Sequence, residues 1–309
     1  MELAVVIPTH RPDAVRLQRV LRALTDQTLP PTEWETILVD NASVPAVAPA
    51  DFAAAAPDNL RVIREPNLGL SVARRRGFLS SCASQFVLVD DDNVLAPDYL
   101  AHVVRLFAAH PKVGVLGGKS RPEFSRATVG WQQEFFGLLA LRDLGDVPQI
   151  SEGLRPRGAL RNEYPDCAPI GAGMGLRASV AQDWAAQTVP IPLTDRRGGD
   201  LSSGGDNDIV FTALRHGWQA AYFPELVLTH LIPSARLDPD YLARLNRGIQ
   251  KSWMQVLTRH DANPWPAIPR WTLPLRQVRA WLHHRAWSSP AARIRWQGAC
   301  GHFEGRSAP

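Results

Sequence analysis

The sequence predicts an α/β protein with an open, mostly parallel sheet flanked by helices. Short apolar runs rich in β-branched residues alternate with helix-like segments in the first half of the chain. Polar side chains follow several of these runs, as at Thr9, Asp40 and Asp90–Asp92. Ligands of such sheets bind beyond the carboxyl ends of the strands, so we expect these residues to converge on one crevice.

The first strand is predicted at "LAVVIP" and the first helix at "DAVRLQRVLRALTDQ", with Asp13 as its N-cap. Further strands are predicted at "ETILVDNAS", "LRVIREP" and "QFVLVDDD", and a helix entered through Gly69 precedes the last of them. "PDYLAHVVRLFAAHP" predicts another helix. "VGVLGGKS" predicts a strand that ends at Gly117 and Gly118.

The second half of the chain has a less regular pattern. Residues from Arg121 to Asp166 show no clean period and predict an irregular region. "GAGMG" is strand-like, "SGGDNDIVFTALRHGW" predicts a loop entering a helix, and "AAYFPELVLTHLIP" predicts a strand ending near His230. We therefore expect one segment over 1–118, a second over 119–235, and a helical extension over 236–309.

Composition excludes several classes of protein. The 309 residues have the apolar and charged fractions of a globular protein, and the net charge is only +4. The three cysteines are far apart and match no zinc or redox spacing, which favours a reducing cytoplasm. No segment approaches the roughly 18 apolar residues of a membrane-spanning helix, and no signal peptide is evident. We expect a cytoplasmic protein.

Three adjacent carboxylates end the strand-like segment "FVLVDDD". Their mutual repulsion requires a neutralising cation, and Mg²⁺ or Mn²⁺ is typically held by one or two carboxylates together with phosphate oxygens. Asp90 and Asp92 would point to the same side of an extended segment. The alternative is a solvated acidic loop that caps the helix beginning near Pro97.

The order of several stretches resembles the signatures of family 2 glycosyltransferases with the GT-A fold. They are the segment from Val5 to Ser43, "PNLGLSVARRRGFLSSC", "FVLVDDDNVLAPDYL" and "GGDNDIVFTALRHGW", and the resemblance covers about residues 1–235. It implies a nucleotide-binding half over 1–118 and an acceptor half over 119–235. It implies a metal-dependent, inverting transfer of a sugar from a nucleoside-diphosphate sugar to a hydroxyl of a glycan, lipid-linked or other acceptor. It also implies Mn²⁺ or Mg²⁺ as cofactor and a role in bacterial-type surface glycan or glycoconjugate synthesis.

The resemblance assigns donor-binding residues to the first two strand ends. Pro8, Thr9 and Arg11 are implied to lie under the base and ribose of the nucleotide. Asp40 is implied to accept a hydrogen bond from the base, with Asn41 beside it. An acidic residue at such a strand end also binds ribose in dinucleotide folds, whereas the alternative for this pair is an Asx turn.

A second group of donor residues is implied further along the chain. Arg74 matches a position near the nucleotide, but Arg75 stands where asparagine is common, so which arginine reaches the phosphates is left open. The aspartate run contains the family's DxD motif. The motif implies that Asp92 ligates the metal and that Asp90 or Asp91 contacts ribose or a metal-bound water.

The last two assignments concern the metal and the base. His230 matches a late histidine that often completes the metal's coordination in GT-A enzymes. Asp206 is implied to be the catalytic base, with Asp208 as a second candidate, because Gly205 replaces the glutamate of the family's Glu-Asp pair. A carboxylate within hydrogen-bond reach of the acceptor hydroxyl is what an inverting transfer requires.

Two alternatives from other classes stay open. "DDDNV" also fits the D-x-D-x-V motif of haloacid-dehalogenase-like phosphohydrolases, in which Asp90 would be the nucleophile and Asp92 its acid partner. Against this, three predicted strands precede the motif and no later G-D-x-x-x-D is found. A catalytically degenerate protein that only binds sugar nucleotides is the other alternative, motivated by Gly205.

The C-terminal segment is rich in tryptophan and arginine, and nothing in the rest of the chain favours nucleic-acid binding. "LPLRQVRAWLHHRAW" places four apolar side chains on one helical face and basic side chains elsewhere: Leu275, Val278, Trp281 and Leu282, against Arg276, Arg279 and His283. One interpretation is an interfacial helix on the anionic inner face of a membrane. The other is a helix packed on the catalytic domain.

Overall fold

The computed structural model of the chain describes residues 1–152, 164–187, 201 and 203–307. Within these residues a nine-stranded sheet is flanked by helices, and three further helices follow it. The predicted α/β class is confirmed.

The strands are β1 (Leu3–Thr9), β2 (Trp34–Asn41), β3 (Leu60–Glu65), β4 (Gln85–Leu88), β5 (Asn93–Leu95), β6 (Val113–Phe124), β7 (Gln149–Ile150), β8 (Gly175–Arg177) and β9 (Gln219–Ile232). The α-helices are α1 (Ala14–Thr25), α2 (Leu70–Phe78), α3 (Tyr99–Ala109), α4 (Ala178–Ala185), α5 (Gly205–Arg215), α6 (Pro239–Arg259), α7 (Leu273–His283) and α8 (Pro290–Arg306). Asp13 caps α1 as predicted, accepting a hydrogen bond of 3.0 Å from the Arg16 amide.

The strand order is β3-β2-β1-β4-β8-β6-β9-β5, and β7 also pairs with β9. Parallel pairing joins the first four of these strands, and β6 with β9. In contrast, β8 runs antiparallel to β4 and β6, and β5 and β7 run antiparallel to β9. These four parallel strands, β1 to β4, all come from residues 1–118, and the division of the chain into a nucleotide-binding half and an acceptor half stays a prediction.

Strand β1 is buried on both faces, as its continuous apolar run predicts. Leu3, Val5 and Ile7 pack with α1 and α3 on one side of the sheet. Ala4 and Val6 pack with α2, α4 and α5 on the other. The alternation fixes the register of β1, and with it the position of Thr9 at its carboxyl end.

The prediction that a strand ends at Gly117 and Gly118 was wrong. Strand β6 continues through both glycines to Phe124, with a shift of register against β9 between Gly117 and Lys119. A Cβ on Gly118 would lie 2.0 Å from the carbonyl oxygen of Leu226. The glycine therefore allows the two backbones to approach closely at an irregularity inside the sheet, instead of ending the strand.

The region predicted to be irregular contains a 3₁₀ segment at Gly130–Leu139 and the short strand β7. Residues 153–163 of that region lie outside the described residues. In "GAGMG" the structure places a turn at Gly171–Gly173, with Gly173 at φ +74°, and only Gly175 belongs to a strand. Strand β5, directly after the aspartates, was not predicted because three residues carry too little periodicity.

Two of the C-terminal helices, α6 and α8, share a core with the 3₁₀ segment at Gly130–Leu139. Phe135 and Leu139 of the 3₁₀ segment pack with Leu242 and Leu245 of α6 and with Ile294 of α8. Arg295 of α8 also pairs with Glu134 at 2.5 Å. Among the described helices, none combines the length and apolarity needed to span a bilayer.

Candidate functional site

The carboxyl ends of β1, β2 and β4 meet in a cleft of about 270 Å³. Its lining includes residues from each strand end: Pro8, Thr9, Arg11, Asn41, Asp90, Asp91 and Asp92. Arg236, from the turn between β9 and α6, closes one side. The predicted convergence of the strand ends on one crevice therefore holds for Thr9 and the three aspartates, whereas at the end of β2 it is Asn41, and not the predicted Asp40, that lines the cleft.

Thr9 and Asp91 contact each other across the floor of the cleft. The Thr9 hydroxyl donates a hydrogen bond of 2.5 Å to Oδ2 of Asp91, which links the ends of β1 and β4. Burial, followed by the negative charge of Asp92, raises the pKa of Asp91 to about 6. Burial and the neighbouring carboxylate thus both disfavour the charged form of Asp91.

Asp92 forms a buried cluster with His230 and Arg236. The Asp92 and His230 residues are each 3% exposed, and Oδ1 of Asp92 lies 3.4 Å from Nε2 of the imidazole. The Arg236 guanidinium places Nη2 2.9 Å from Oδ2 of Asp92 and Nη1 3.1 Å from Nε2 of His230. The antiparallel pairing of β5 with β9 sets Asn93 opposite His230 and so brings the aspartate and the histidine together.

The Arg236 contact determines which nitrogen of His230 carries the proton. A guanidinium can only donate, so Nε2 accepts from Arg236 and the proton of a neutral ring sits on Nδ1. Oδ1 of Asp92, which is also an acceptor, lies 3.4 Å from that Nε2. Two acceptors facing each other at this distance require a cation beside them, and Arg236 supplies it here.

Arg74 and Asp206 lie on either side of Gly171, next to the aspartate run. Arg74 is 3% exposed, and its Nη2 lies 3.7 Å from Oδ1 of Asp90. A Cβ on Gly171 would lie 2.7 Å from that same Nη2 and 3.3 Å from Cβ of Asp206. Arg74 therefore connects the cleft to the start of α5.

The two candidate bases have different surroundings. Asp206 is half-buried, and its carboxylate accepts hydrogen bonds of 3.0 Å from the amides of Gly171 and Asn207. Asp208 is 1% exposed. Its carboxylate accepts 2.8 Å hydrogen bonds from the Trp184 indole and from Nε2 of His260, and Nε of Arg259 lies at 3.3 Å. These contacts anchor α5 to α4 and α6.

The Asp40–Asn41 pair organises the loops beside the cleft. Asp40 accepts hydrogen bonds from the amides of Ser43 and Val47 and from Arg64, whose Nη1 lies 2.7 Å away. Asn41 accepts from the Gly69 amide at 2.7 Å and thereby holds the entry of α2. The Asp40 carboxylate thus has an Asx-type contact, and its predicted hydrogen bond to a base stays a prediction.

Comparison with known proteins now complements this geometry. The family model described as "Glycosyl transferase family 2" matches residues 4–184, more than half of the chain. The chain belongs to this family. The match includes the strand ends, Arg74, the aspartate run and Gly171, and it leaves the phosphohydrolase alternative without support.

Two solved structures are similar to this family 2 chain. The mannosyltransferase PcManGT of Pyrobaculum calidifontis, in complex with GDP-Man and Mn²⁺, has a TM-score of 0.58 and 19% identity, covering 94% of this chain and 73% of that one. TarS of S. aureus has a TM-score of 0.50 and 13% identity, covering 99% and 55%. At these identities the likeness concerns the fold, and the expected GT-A architecture is confirmed.

A curated relative matches over a shorter stretch. The Sinorhizobium fredii protein y4gI is 30% identical over 117 residues, which is 37% of this chain and 13% of that protein. The chain thus matches only a small part of this relative and spans about half the length of TarS.

The residues that sequence reasoning missed are Arg236 and Gly171. Arg236 lies six residues beyond His230, in "PSARLD", and an arginine in the loop after the last strand was the available signal. Gly171 was read as part of a strand-like stretch, although its amide contacts Asp206. A local pattern reveals neither role. The contact of Gly171 with Asp206 joins residues more than 30 apart in the chain, and the contact of Arg236 with Asp92 depends on the pairing of β5 with β9.

Asp92 and His230 fit a divalent cation in their chemistry. Oδ1 of Asp92 and Nε2 of His230 lie 3.4 Å apart, and a carboxylate oxygen and an imidazole nitrogen are both common ligands of divalent cations. Among the described residues no three such side chains form a metal cluster. Two protein ligands agree with a cation that takes its remaining ligands from a diphosphate and water.

Proposed function

We propose that the chain is a glycosyltransferase that moves a sugar from a nucleoside-diphosphate donor to an acceptor hydroxyl with inversion, using Mn²⁺ or Mg²⁺. The observation that carries the proposal is the Asp92–His230–Arg236 cluster at the end of the cleft lined by Thr9 and the aspartates. Membership of family 2 supports the reaction class. A cleft of this volume suits a nucleoside rather than a large substrate.

The donor would lie along the cleft, with the nucleoside against Pro8, Thr9 and Arg11. The diphosphate would lie at the cationic end, where Arg74 and Arg236 are the basic side chains closest to the aspartates. Asp92 and His230 would hold the cation. When bound, the cation stabilises negative charge that develops on the departing diphosphate.

Asp206 is the base in this proposal. Its two amide contacts fix the direction of the carboxylate, whereas Asp208 is already held by three donors and is buried. The acceptor oxygen attacks the anomeric carbon from the face opposite the diphosphate and gives its proton to Asp206. The bond from the anomeric carbon to the phosphate oxygen breaks, and its electron pair stays with the diphosphate.

The acceptor would bind beside the Asp92–His230–Arg236 cluster, on the side away from the nucleoside. Leu138 and Leu139 of the 3₁₀ segment, Ala140 directly after it and Tyr241 of α6 border Asp92 and Arg236 there. We propose a hydroxyl of a glycan or lipid-linked acceptor in bacterial-type surface glycan synthesis, in the cytoplasm.

Thermal unfolding with nucleotides tests the donor site. We would measure the unfolding midpoint with UDP, GDP, TDP and CMP, each with and without Mn²⁺. A ligand at about 100 times its dissociation constant adds roughly 2.7 kcal/mol, which raises the midpoint by about 5 °C or more. The expected result is a metal-dependent shift for one nucleoside diphosphate, followed by turnover of the matching nucleotide sugar. No shift under any condition would contradict the proposal.

A further inference from the structure

Helix α7 turns its apolar side chains toward solvent. Trp271, in the 3₁₀ turn just before α7, is followed at spacings of four, three and four residues by Leu275, Val278 and Leu282, which lie on one side of the helix. They are 81%, 73%, 56% and 56% exposed. We call this row the α7 stripe. Ala280, which is buried, lies on the opposite side of the helix, where α7 packs on α8.

The α7 stripe is larger than the scattered apolar residues of an ordinary surface. Trp281 and Trp287 lie next to it, 37% and 55% exposed, with ring centroids 4.5 Å apart. A contiguous row of exposed apolar and tryptophan side chains marks an interaction surface rather than chance exposure. An amphipathic helix would normally turn this face inward, so packing α7 on α8 alone does not account for it.

Positive charge predominates around the stripe, and Glu304 of α8, which accepts a hydrogen bond from Gln277 of α7, is paired with Arg247. Residues 262–303 contain six arginines and no aspartate or glutamate. Arg276 and Arg279 border the groove between α7 and α8, beside Leu275. In the part of the chain that the structure describes, no ion pair involves Arg276, Arg279 or Arg285. The surface therefore presents uncompensated positive charge next to apolar side chains.

We propose that the α7 stripe docks on a membrane of anionic phospholipid. Tryptophan side chains are favoured at the level of the headgroups, and arginines can lay their stems along apolar surface while their charges meet lipid phosphates. A second copy of the chain is the less suitable occupant. A twofold contact between two such stripes would bring two sets of arginines together without a counter-charge.

Membrane docking is a property beyond the proposed sugar transfer, and it can be measured without an assay of that transfer. We would sediment the full chain with vesicles of phosphatidylcholine alone and with vesicles that also contain phosphatidylglycerol. Binding is expected to the second kind only, and it should weaken as salt is added, because salt screens the attraction. Equal binding to both kinds of vesicle, or none to either, would overturn the proposal.

Two double variants separate the apolar and the charged contributions. Leu275→Ser with Val278→Ser should reduce partitioning by at least about tenfold, since both side chains would be removed from water in the docked state. Arg276→Gln with Arg279→Gln should reduce it by roughly 25-fold, at about fivefold for each arginine near an anionic surface. Val15→Ser is the control, since Val15 is also an exposed apolar side chain, 68% exposed, on α1.

Gel filtration over a range of protein concentrations tests whether a second copy of the chain occupies the stripe. The native chain could form a dimer that the Leu275→Ser, Val278→Ser variant does not form, and could also fail to bind vesicles. That result would make the stripe a subunit interface and overturn the proposal. The nucleotide-dependent rise in the unfolding midpoint should be the same in all these variants. Failure of the donor site and failure of the membrane site would thus be seen in different measurements.

Discussion

The Arg236 guanidinium occupies the point at which Asp92 and His230 converge, 2.9 Å from Oδ2 of the aspartate and 3.1 Å from Nε2 of the imidazole. A divalent cation bound by those two side chains would need the same space. Arg236 therefore neutralises the cluster in the absence of metal, and it has to leave Asp92 when the metal binds. This exchange predicts how metal affinity should respond to substitution.

Arg236→Ala should bind Mn²⁺ more tightly than the native chain in the absence of nucleotide. Breaking a hydrogen-bonded contact between charged groups costs about 1.5–3 kcal/mol, so its absence should tighten binding about tenfold or more. Titration of free Mn²⁺ by electron paramagnetic resonance measures the affinity directly. Arg61→Ala is the control, because Arg61 pairs with Glu35 at the same 2.9 Å on the far edge of the sheet. Weaker Mn²⁺ binding by Arg236→Ala would show that the arginine does not compete.

Asp92→Asn should abolish the metal-dependent part of the rise in unfolding midpoint that a nucleoside diphosphate produces. An amide oxygen carries no formal charge, so the cation loses its anionic protein ligand at this point. Asp98→Asn is the matched control, since Asp98 follows in the same segment with 53% of its side chain exposed. An undiminished metal-dependent shift in Asp92→Asn would place the cation elsewhere.

Asp206→Asn should impair turnover, whereas Asp208→Asn should impair stability. Asp206→Asn should lower turnover by about 10²–10⁴-fold, the usual contribution of proton transfer, and leave the unfolding midpoint nearly unchanged because the residue is half-buried. Asp208→Asn should lower the midpoint, because Arg259 and His260 lose a buried carboxylate partner. Steady-state rates and thermal unfolding of both variants provide the comparison. Unchanged turnover in Asp206→Asn would favour a catalytically degenerate donor-binding protein.

Gly171→Ala should lower the turnover rate while leaving the unfolding midpoint close to that of the native chain. The added methyl group would lie 2.7 Å from Nη2 of Arg74. It would force the guanidinium away from its position beside Asp90. Gly137→Ala is the control, because a Cβ there meets no atom within 4 Å. Initial rates at saturating donor, with the midpoint measured in parallel, check the prediction. Equal rates for the two variants would mean that the position of Arg74 does not limit the reaction.

The sequence by itself determined the α/β class, most helices and strands, and the placement of Thr9, Asn41 and the aspartates at strand ends. These features depend on local periodicity and on the rule that parallel strands end at one edge, and both can be read from neighbouring residues. The N-cap at Asp13 is equally local.

Only the tertiary structure decided which cation faces Asp92, which aspartate at the start of α5 is buried, and which way α7 turns its apolar face. Arg236 reaches Asp92 because β5 pairs with β9, and Asp208 is enclosed because α6 brings His260 to it. Such contacts join residues that are distant in the chain, and their free energy depends on burial and geometry that no local pattern specifies. For α7, periodicity predicts an apolar face, but only the surface available on α8 determines whether that face is covered.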